Sequence, residues 1–131
     1  MKLVVAGGGP VGLYAATAVR LAGMEVTVVE PRDGIVDKAC GEGLMPAALG
    51  ALREIGGDPV GVAFAGIRYL DGRGRRQVRA PLADAPGRGV RRTTLMTALQ
   101  ARAISVGVNT IHDRVVGIDQ DARSVCVALA T

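Results

Sequence analysis

An α/β fold built around a parallel sheet is predicted by three observations. Two short apolar runs, residues 2–6 and 25–30, have strand character, the second through Val26, Val28 and Val29. Between them lies a glycine-rich turn, residues 7–12, followed by an alanine-rich helical stretch, residues 11–22, which Gly23 closes. Strand, helix and strand in this order make a parallel βαβ unit with a right-handed crossover.

The composition supports a folded chain. It has 131 residues, enough for one domain, with 49% hydrophobic and 21% charged residues, which is a globular balance rather than a disordered one. Tyr14, Phe64 and Tyr69 are the only aromatic residues, so Val, Leu, Ile and Ala must build the core.

Each later element follows from local signals. The first strand is expected to be buried. After a charged, glycine-bearing loop over 31–43, a short helix is expected over 46–55, with Pro46 in its first turn, Gly56 at its end and Ala48, Leu52 and Ile55 on one face. Residues 62–70 and 75–82 are expected to form a hairpin around Asp71-Gly72-Arg73-Gly74, with Val78, Ala80 and Leu82 on a half-buried face. A Pro/Gly loop over 84–89 precedes a helix over 94–106, whose stripe is Leu95, Leu99, Arg102 and Val106. Three short β segments, 108–111, 115–118 and 125–129, come last.

The net charge is +4, and eight of the arginines fall between Arg68 and Arg92. A basic cluster attracts phosphates or nucleic acid. With three aromatics in the chain there is little to stack bases on, so a solvated, arginine-decorated hairpin is the expected reading and nucleic acid is not an expected partner. Cys40 and Cys126 form no CxxC pair and no metal-ligand spacing with His112, the only histidine, so no metal is expected. Cys40 is expected to be a small buried side chain. Lys2 and the apolar run after it have the outline of a signal peptide, but Gly7, Gly8, Gly9 and Pro10 would break its helix. A soluble, cytoplasmic chain without an integral membrane segment is expected.

The chemistry resides in Gly7-Gly8-Gly9-Pro10-Val11-Gly12, which fits GxGxxG at Gly7, Gly9 and Gly12. Such a hexamer alone is a weak signal. Here it follows a strand, opens a helix, and is followed about 20 residues later by an acidic residue, Glu30, at the end of the next strand. Gly7 permits the tight turn, Gly9 lets a pyrophosphate approach the backbone, and Gly12 with Ala16 lets the helix pack closely on the sheet. The helix N-terminus offers free N–H groups and its positive dipole end to phosphate, and Pro10 has no N–H to lose there. Glu30 can accept hydrogen bonds from both hydroxyls of a ribose, which disfavours a 2′-phosphate. FAD and NAD both satisfy this reading, and Arg32 can serve a flavin pyrophosphate.

The run from Leu3 to Arg32 resembles the N-terminus of the FAD-dependent monooxygenase and oxidoreductase superfamily. That group includes hydroxylases of the p-hydroxybenzoate hydroxylase type, geranylgeranyl reductases and flavin halogenases. Asp37-Lys38-Ala39-Cys40-Gly41-Glu42-Gly43-Leu44 is similar to the family's loop beside the flavin. Val90-Arg91-Arg92-Thr93-Thr94-Leu95 is similar to its arginine-led helix, and Arg114-Val115-Val116-Gly117-Ile118 to the β segment against the adenine.

The resemblance implies a Rossmann-like FAD/NAD(P)-binding domain with the hairpin of 62–82 added. Residues 1–131 would be the N-terminal portion of that domain, since the family's later Asp-Gly and Gly-Asp segments and its substrate sheet do not occur in this sequence. Gly7, Gly9, Pro10 and Gly12 would hold the pyrophosphate, and Glu30 the adenosine ribose, with Arg32 nearby. Gly41, Glu42 and Gly43 would border the flavin or ribityl chain, Arg92 would approach the cofactor from its helix start, and Val115 would meet adenine through its backbone. No catalytic acid or base is assigned.

The function implied is a flavin-dependent oxidoreductase, foremost a monooxygenase that uses NAD(P)H to hydroxylate a small organic substrate. A double-bond reductase of the geranylgeranyl reductase type is one alternative. An NAD-dependent dehydrogenase domain is another, disfavoured by the loop over 37–44 and the hairpin, because a simple NAD unit would continue with βα repeats. The third is a truncated, non-catalytic nucleotide-binding module.

Overall fold

The computed structural model describes residues 2–131. Its first unit is β1 (Lys2–Ala6), α1 (Pro10–Leu21) and β2 (Glu25–Val29). β1 and β2 run parallel, in register from Lys2 opposite Glu25 to Ala6 opposite Val29. A two-residue strand β3 (Gly43–Leu44) leads into α2 (Pro46–Glu54). Then come β4 (Val62–Phe64), β5 (Gly66–Leu70), β6 (Gln77–Pro81), β7 (Gly87–Gly89), α3 (Arg92–Ser105), β8 (Asn109–Ile111), β9 (Val115–Gln120) and β10 (Val125–Leu129).

The parallel sheet has the order β1-β2-β8, so β2 is its middle strand. That position explains its burial. Val26, Thr27, Val28 and Val29 are all buried, on both faces of the pleat. β1 lies at the sheet edge and is mostly exposed, with only Val5 half-buried, which corrects the expectation of a buried strand. α1 and α3 pack together beside the sheet, and their meeting forms the core: Leu13, Ala16, Val28, Met96, Leu99 and Ala103, extended by Leu52 and Ile55 from the α2 end. The inward face of α2 carries Leu49 and Leu52, with Ile55 just beyond the helix. Ala48 is exposed, one position out of the expected stripe. Arg102 caps that end of α2, its Nε donating to the Ile55 carbonyl at 2.6 Å.

The middle of the chain departs most from expectation. The run 62–70 is two strands rather than one, because the chain changes sheet at Ala65. β4 pairs with β7, whereas β5 pairs with β6. The expected loop over 84–89 contains β7, the central strand of the antiparallel order β3-β7-β4. The Asp71 turn forms as the sequence indicates: the Gly74 N–H donates to the Asp71 carbonyl, and the Arg75 N–H to Asp71 Oδ1 at 2.7 Å. The half-buried face of this hairpin does not form. Val78 and Ala80 are exposed and only Leu82 is half-buried, since among the described residues β5 and β6 pair only with each other and no layer covers them.

β9 and β10 form an antiparallel pair. Buried Asp113 fastens its open end, accepting the Arg114 N–H at one carboxylate oxygen and both the hydroxyl and the N–H of Thr131 at the other. Among the described residues no helix is long and apolar enough to cross a membrane.

Candidate nucleotide-binding site

The glycine turn leaves β1 at its C-terminal end, and the Gly7 N–H donates to the Val29 carbonyl of the neighbouring strand at 2.8 Å. Gly7 has φ +109, a conformation that side-chain-bearing residues rarely adopt. Gly12 is required for a different reason: a Cβ there would lie 2.0 Å from the Gly7 carbonyl oxygen, so the first turn of α1 sits directly on the glycine turn. A Cβ on Gly9 would meet nothing within 4 Å. Gly9 is the N-cap residue of α1, Pro10 occupies the first turn, and no acidic side chain competes for the free N–H groups there. The turn therefore presents open space to the positive end of a helix, the arrangement that binds phosphate.

Glu30, immediately after β2, faces this turn. Its Oε2 accepts the Gly8 N–H at 2.8 Å, while Oε1 accepts the Arg32 N–H at 3.1 Å. The Arg32 guanidinium grips the same carboxylate, Nε to Oε1 at 2.6 Å and Nη2 to Oε2 at 3.2 Å. Arg32 is the chief reason that the Glu30 pKa falls from 4.5 to about 2; partial burial opposes the shift, and the N–H groups of Gly8 and Arg32 add to it. The Arg32 pKa is raised by the same pairing. Glu30 is thus a fixed anion with its acceptor oxygens in place. Gly8, an unspecified position of the motif, matters here, because a Cβ on it would lie 3.0 Å from Glu30 Cβ and crowd the contact.

A cavity of about 420 Å³ opens beside Glu30, between the ends of β2 and β8 and the α3 face. Gly8, Glu30 and Arg32 line it, together with Gln100, Asn109 and His112. Its size falls within the roughly 300–1,000 Å³ of small-molecule sites, and its place at the carboxyl ends of parallel strands is where such folds bind ligands. A second, narrow space of about 20 Å³ joins Gly8 and Gly9 to Arg92 at the start of α3.

Arg92 is therefore brought to the glycine turn, and its Nε is buried without a hydrogen-bond partner. Glu42 approaches the same helix start: its carbonyl accepts the Val90 N–H at 2.7 Å and its carboxylate the Arg92 N–H at 3.3 Å. Glu42 is the non-glycine residue with positive φ, +49, among the described residues. The structure thus brings Gly7, Gly9, Pro10, Gly12, Glu30, Arg32 and Arg92 to one place, with Glu42 behind Arg92. Gly41 and Gly43 are exposed, and Gly43 pairs with Gly89. Val115 begins β9 opposite Leu129 and lines neither space. Cys40 is exposed, not buried.

Gln100, Asn109 and His112 were not marked by the sequence. Asn109 and His112 arrive because β8 pairs beside β2, and Gln100 because it lies on α3. The rule that ligands sit at strand C-termini would have found His112, which follows β8 as Glu30 follows β2. His112 Nδ1 lies 3.1 Å from Asp33 at this rim.

Comparison with known proteins bears on the fold. The pyridine nucleotide-disulphide oxidoreductase family matches residues 2–56, which span the glycine turn, Glu30 and α2. Menaquinone reductase of Mycolicibacterium smegmatis is 44% identical over 54 residues, 41% of this chain and 13% of that protein. The p-nitrophenol 4-monooxygenase of Pseudomonas putida superposes with a TM-score of 0.85 at 24% identity, over 98% of this chain and 37% of that one. A geranylgeranyl bacteriochlorophyll reductase-like protein of Thermoplasma acidophilum gives 0.75 at 23% identity, over 98% and 34%. A flavin-dependent brominase gives 0.81 at 20% identity, over 100% and 34%. The chain spans about a third of the length of these structures. It shares its fold with that third of each of these proteins.

Proposed function

We propose that the chain is the FAD-binding portion of a flavin-dependent oxidoreductase, in which NAD(P)H serves as reductant and a small organic substrate is hydroxylated. The observation that carries this reading is the Glu30 carboxylate, held by the Gly8 N–H at the mouth of a 420 Å³ cavity beside an open helix N-terminus.

The residues present fit the adenosine and pyrophosphate half of FAD. Glu30 supplies acceptors for the ribose hydroxyls. The open space at Gly9 admits a pyrophosphate to the free N–H groups of α1, and the unpartnered Arg92 Nε offers a cationic donor at the same turn. Arg32 must swing off Glu30 for the ribose to enter, and its exposed side chain is free to do so. FAD supplies the redox chemistry when bound; this chain's residues anchor and orient it.

Addition of FAD to the purified chain tests the reading by absorption. Bound flavin that is lost on Gly9→Val and weakened in Glu30→Gln supports it. A folded chain that takes up NAD or ADP but no FAD refutes it in favour of a dehydrogenase-type nucleotide unit, and one that binds none of them leaves a non-catalytic fold.

Reduction of a double bond is a second reading, favoured by the 44% identity over 54 residues to a protein named as a reductase rather than an oxygenase. Oxygen uptake separates the two in a protein that carries the remaining length of these relatives. Hydroxylation consumes oxygen in step with NAD(P)H, whereas double-bond reduction proceeds without it.

A further inference from the structure

Two arginines reach the glycine turn, and they differ in what holds them. Arg32 is engaged with the Glu30 carboxylate through Nε and Nη2. Arg92 shares one narrow space with Gly8 and Gly9, and its Nε is buried without a hydrogen-bond partner among the described residues. Its own helix does little to fix it there. Arg91, the N-cap residue of α3, makes no side-chain capping hydrogen bond, and the first turn of α3 contains no acidic residue.

The missing cap comes from Glu42, 50 residues earlier in the chain. Its Oε1 accepts the Arg92 N–H at 3.3 Å, and its carbonyl accepts the Val90 N–H at 2.7 Å. The next residue, Gly43, is paired with Gly89 in the β3–β7 ladder. The approach to α3 is thus tied to this loop at Gly89, Val90 and Arg92, and Glu42 makes two of the ties. Among the described residues no salt bridge joins Glu42 to the Arg92 guanidinium. The carboxylate fixes the backbone of Arg92 and leaves its guanidinium to an anion.

The backbone of Glu42 supplies an independent reason. Its φ of +49 lies in the left-handed region, which glycine adopts freely and a residue with a side chain adopts at a cost. Gly41 and Gly43 stand on either side without positive φ, so this run places its only side chain where glycine would be least strained. Strain kept at one residue points to a task for its side chain, and the contact that this side chain makes is with the Arg92 N–H.

We propose that Glu42 is a positioning residue for phosphate binding: it fixes the first turn of α3 so that the Arg92 guanidinium faces the glycine turn. This rests on the nucleotide reading of the site, to which it adds the group that aims one of the two cations.

Calorimetric titration of the purified 131-residue chain with ADP, in a double-mutant cycle of Glu42→Ala and Arg92→Met, tests it. Glu42→Ala should weaken ADP binding roughly fivefold, the effect of one hydrogen bond, but by less than about twofold in the Arg92→Met background. Glu42→Gln keeps an acceptor oxygen for the Arg92 N–H and drops a charge that opposes phosphate, so it should bind ADP at least as tightly as the parent. Glu42→Gly relieves the backbone while removing the acceptor. It should unfold at a higher temperature than Glu42→Ala and yet bind ADP just as weakly, a separation that a purely structural cap would not give. Equal losses on Glu42→Ala with and without Arg92→Met overturn the role of Glu42 and leave the nucleotide reading standing. So does an ADP affinity that recovers together with stability in Glu42→Gly. A folded parent that binds no ADP overturns both.

Discussion

Replacement of Glu30 by Gln tests the centre of the site, because it removes the charge and keeps the shape. The amide oxygen of the introduced glutamine can still accept the Gly8 N–H, so the turn should persist. The fall of the Glu30 pKa from 4.5 to about 2 corresponds to about 3 kcal/mol if taken at face value. The Arg32 side chain that causes most of it is 54% exposed, so solvent screening reduces the expected contribution to about 1 kcal/mol. The folded pKa is depressed, so this stabilisation is fully present above about 4.5 and is lost as pH falls toward about 2. Urea unfolding of the two proteins should therefore differ by about 1 kcal/mol near pH 7 and converge near pH 2. A difference that persists undiminished at the acid end would refute the assignment of the shift to this carboxylate. For ligands, losing charge-assisted hydrogen bonds to the ribose costs about 1.5–3 kcal/mol, and freeing the site from Arg32 returns about 1 kcal/mol. ADP should bind roughly tenfold more weakly to the variant, whereas 2′,3′-dideoxy-ADP should bind both proteins alike. Equal losses for the two ligands, measured by calorimetry, would show that Glu30 does not meet the ribose.

Gly12→Ala should cost about 3 kcal/mol or more, seen as loss of cooperative thermal unfolding, because its Cβ would lie 2.0 Å from the Gly7 carbonyl. Gly9→Ala should leave stability within about 0.5 kcal/mol of the parent, since its Cβ meets nothing, yet weaken ADP binding at least tenfold. Leu99→Ala, at a site 1% exposed between the helices and the sheet, should lower stability by about 2–5 kcal/mol in urea. Asp113→Ala should release Thr131 and speed amide exchange of Ala130 and β10, with exchange in β2 unchanged.

What the sequence discloses and what it hides follow from how local each cause is. The βαβ unit was legible because its signals lie within 30 residues: two Val-rich runs, a glycine turn and an alanine helix. β7 was hidden because Gly87-Arg88-Gly89 has no strand propensity of its own and is a strand only by pairing with β3 and β4. The exposure of β1 was hidden for a related reason: its apolar sequence matches that of β2, and only sheet order makes one an edge and the other the centre. In α2 the stripe slipped by one residue, Leu49 replacing Ala48, because the larger side chain takes the core position. Half of the cavity was equally out of reach, since Asn109 and His112 meet Glu30 only through the β2–β8 pairing and Gln100 only through the packing of α3.

The glycine hexamer, finally, divides into residues that serve the fold and residues that serve a ligand. Gly7 and Gly12 are demanded by the protein itself, one by its φ and the other by a carbonyl at 2.0 Å, so both would be needed with no nucleotide at all. Gly8 is demanded by Glu30, and Glu30 gains its acceptor geometry from Gly8. Gly9, the N-cap of α1, is held to glycine by no clash, since space surrounds it. At the positive end of a helix and across a narrow gap from an unpartnered arginine nitrogen, it is where the proposed pyrophosphate would approach the backbone. Under that proposal the ligand signal in this sequence is Gly9 together with Glu30, rather than the count of glycines.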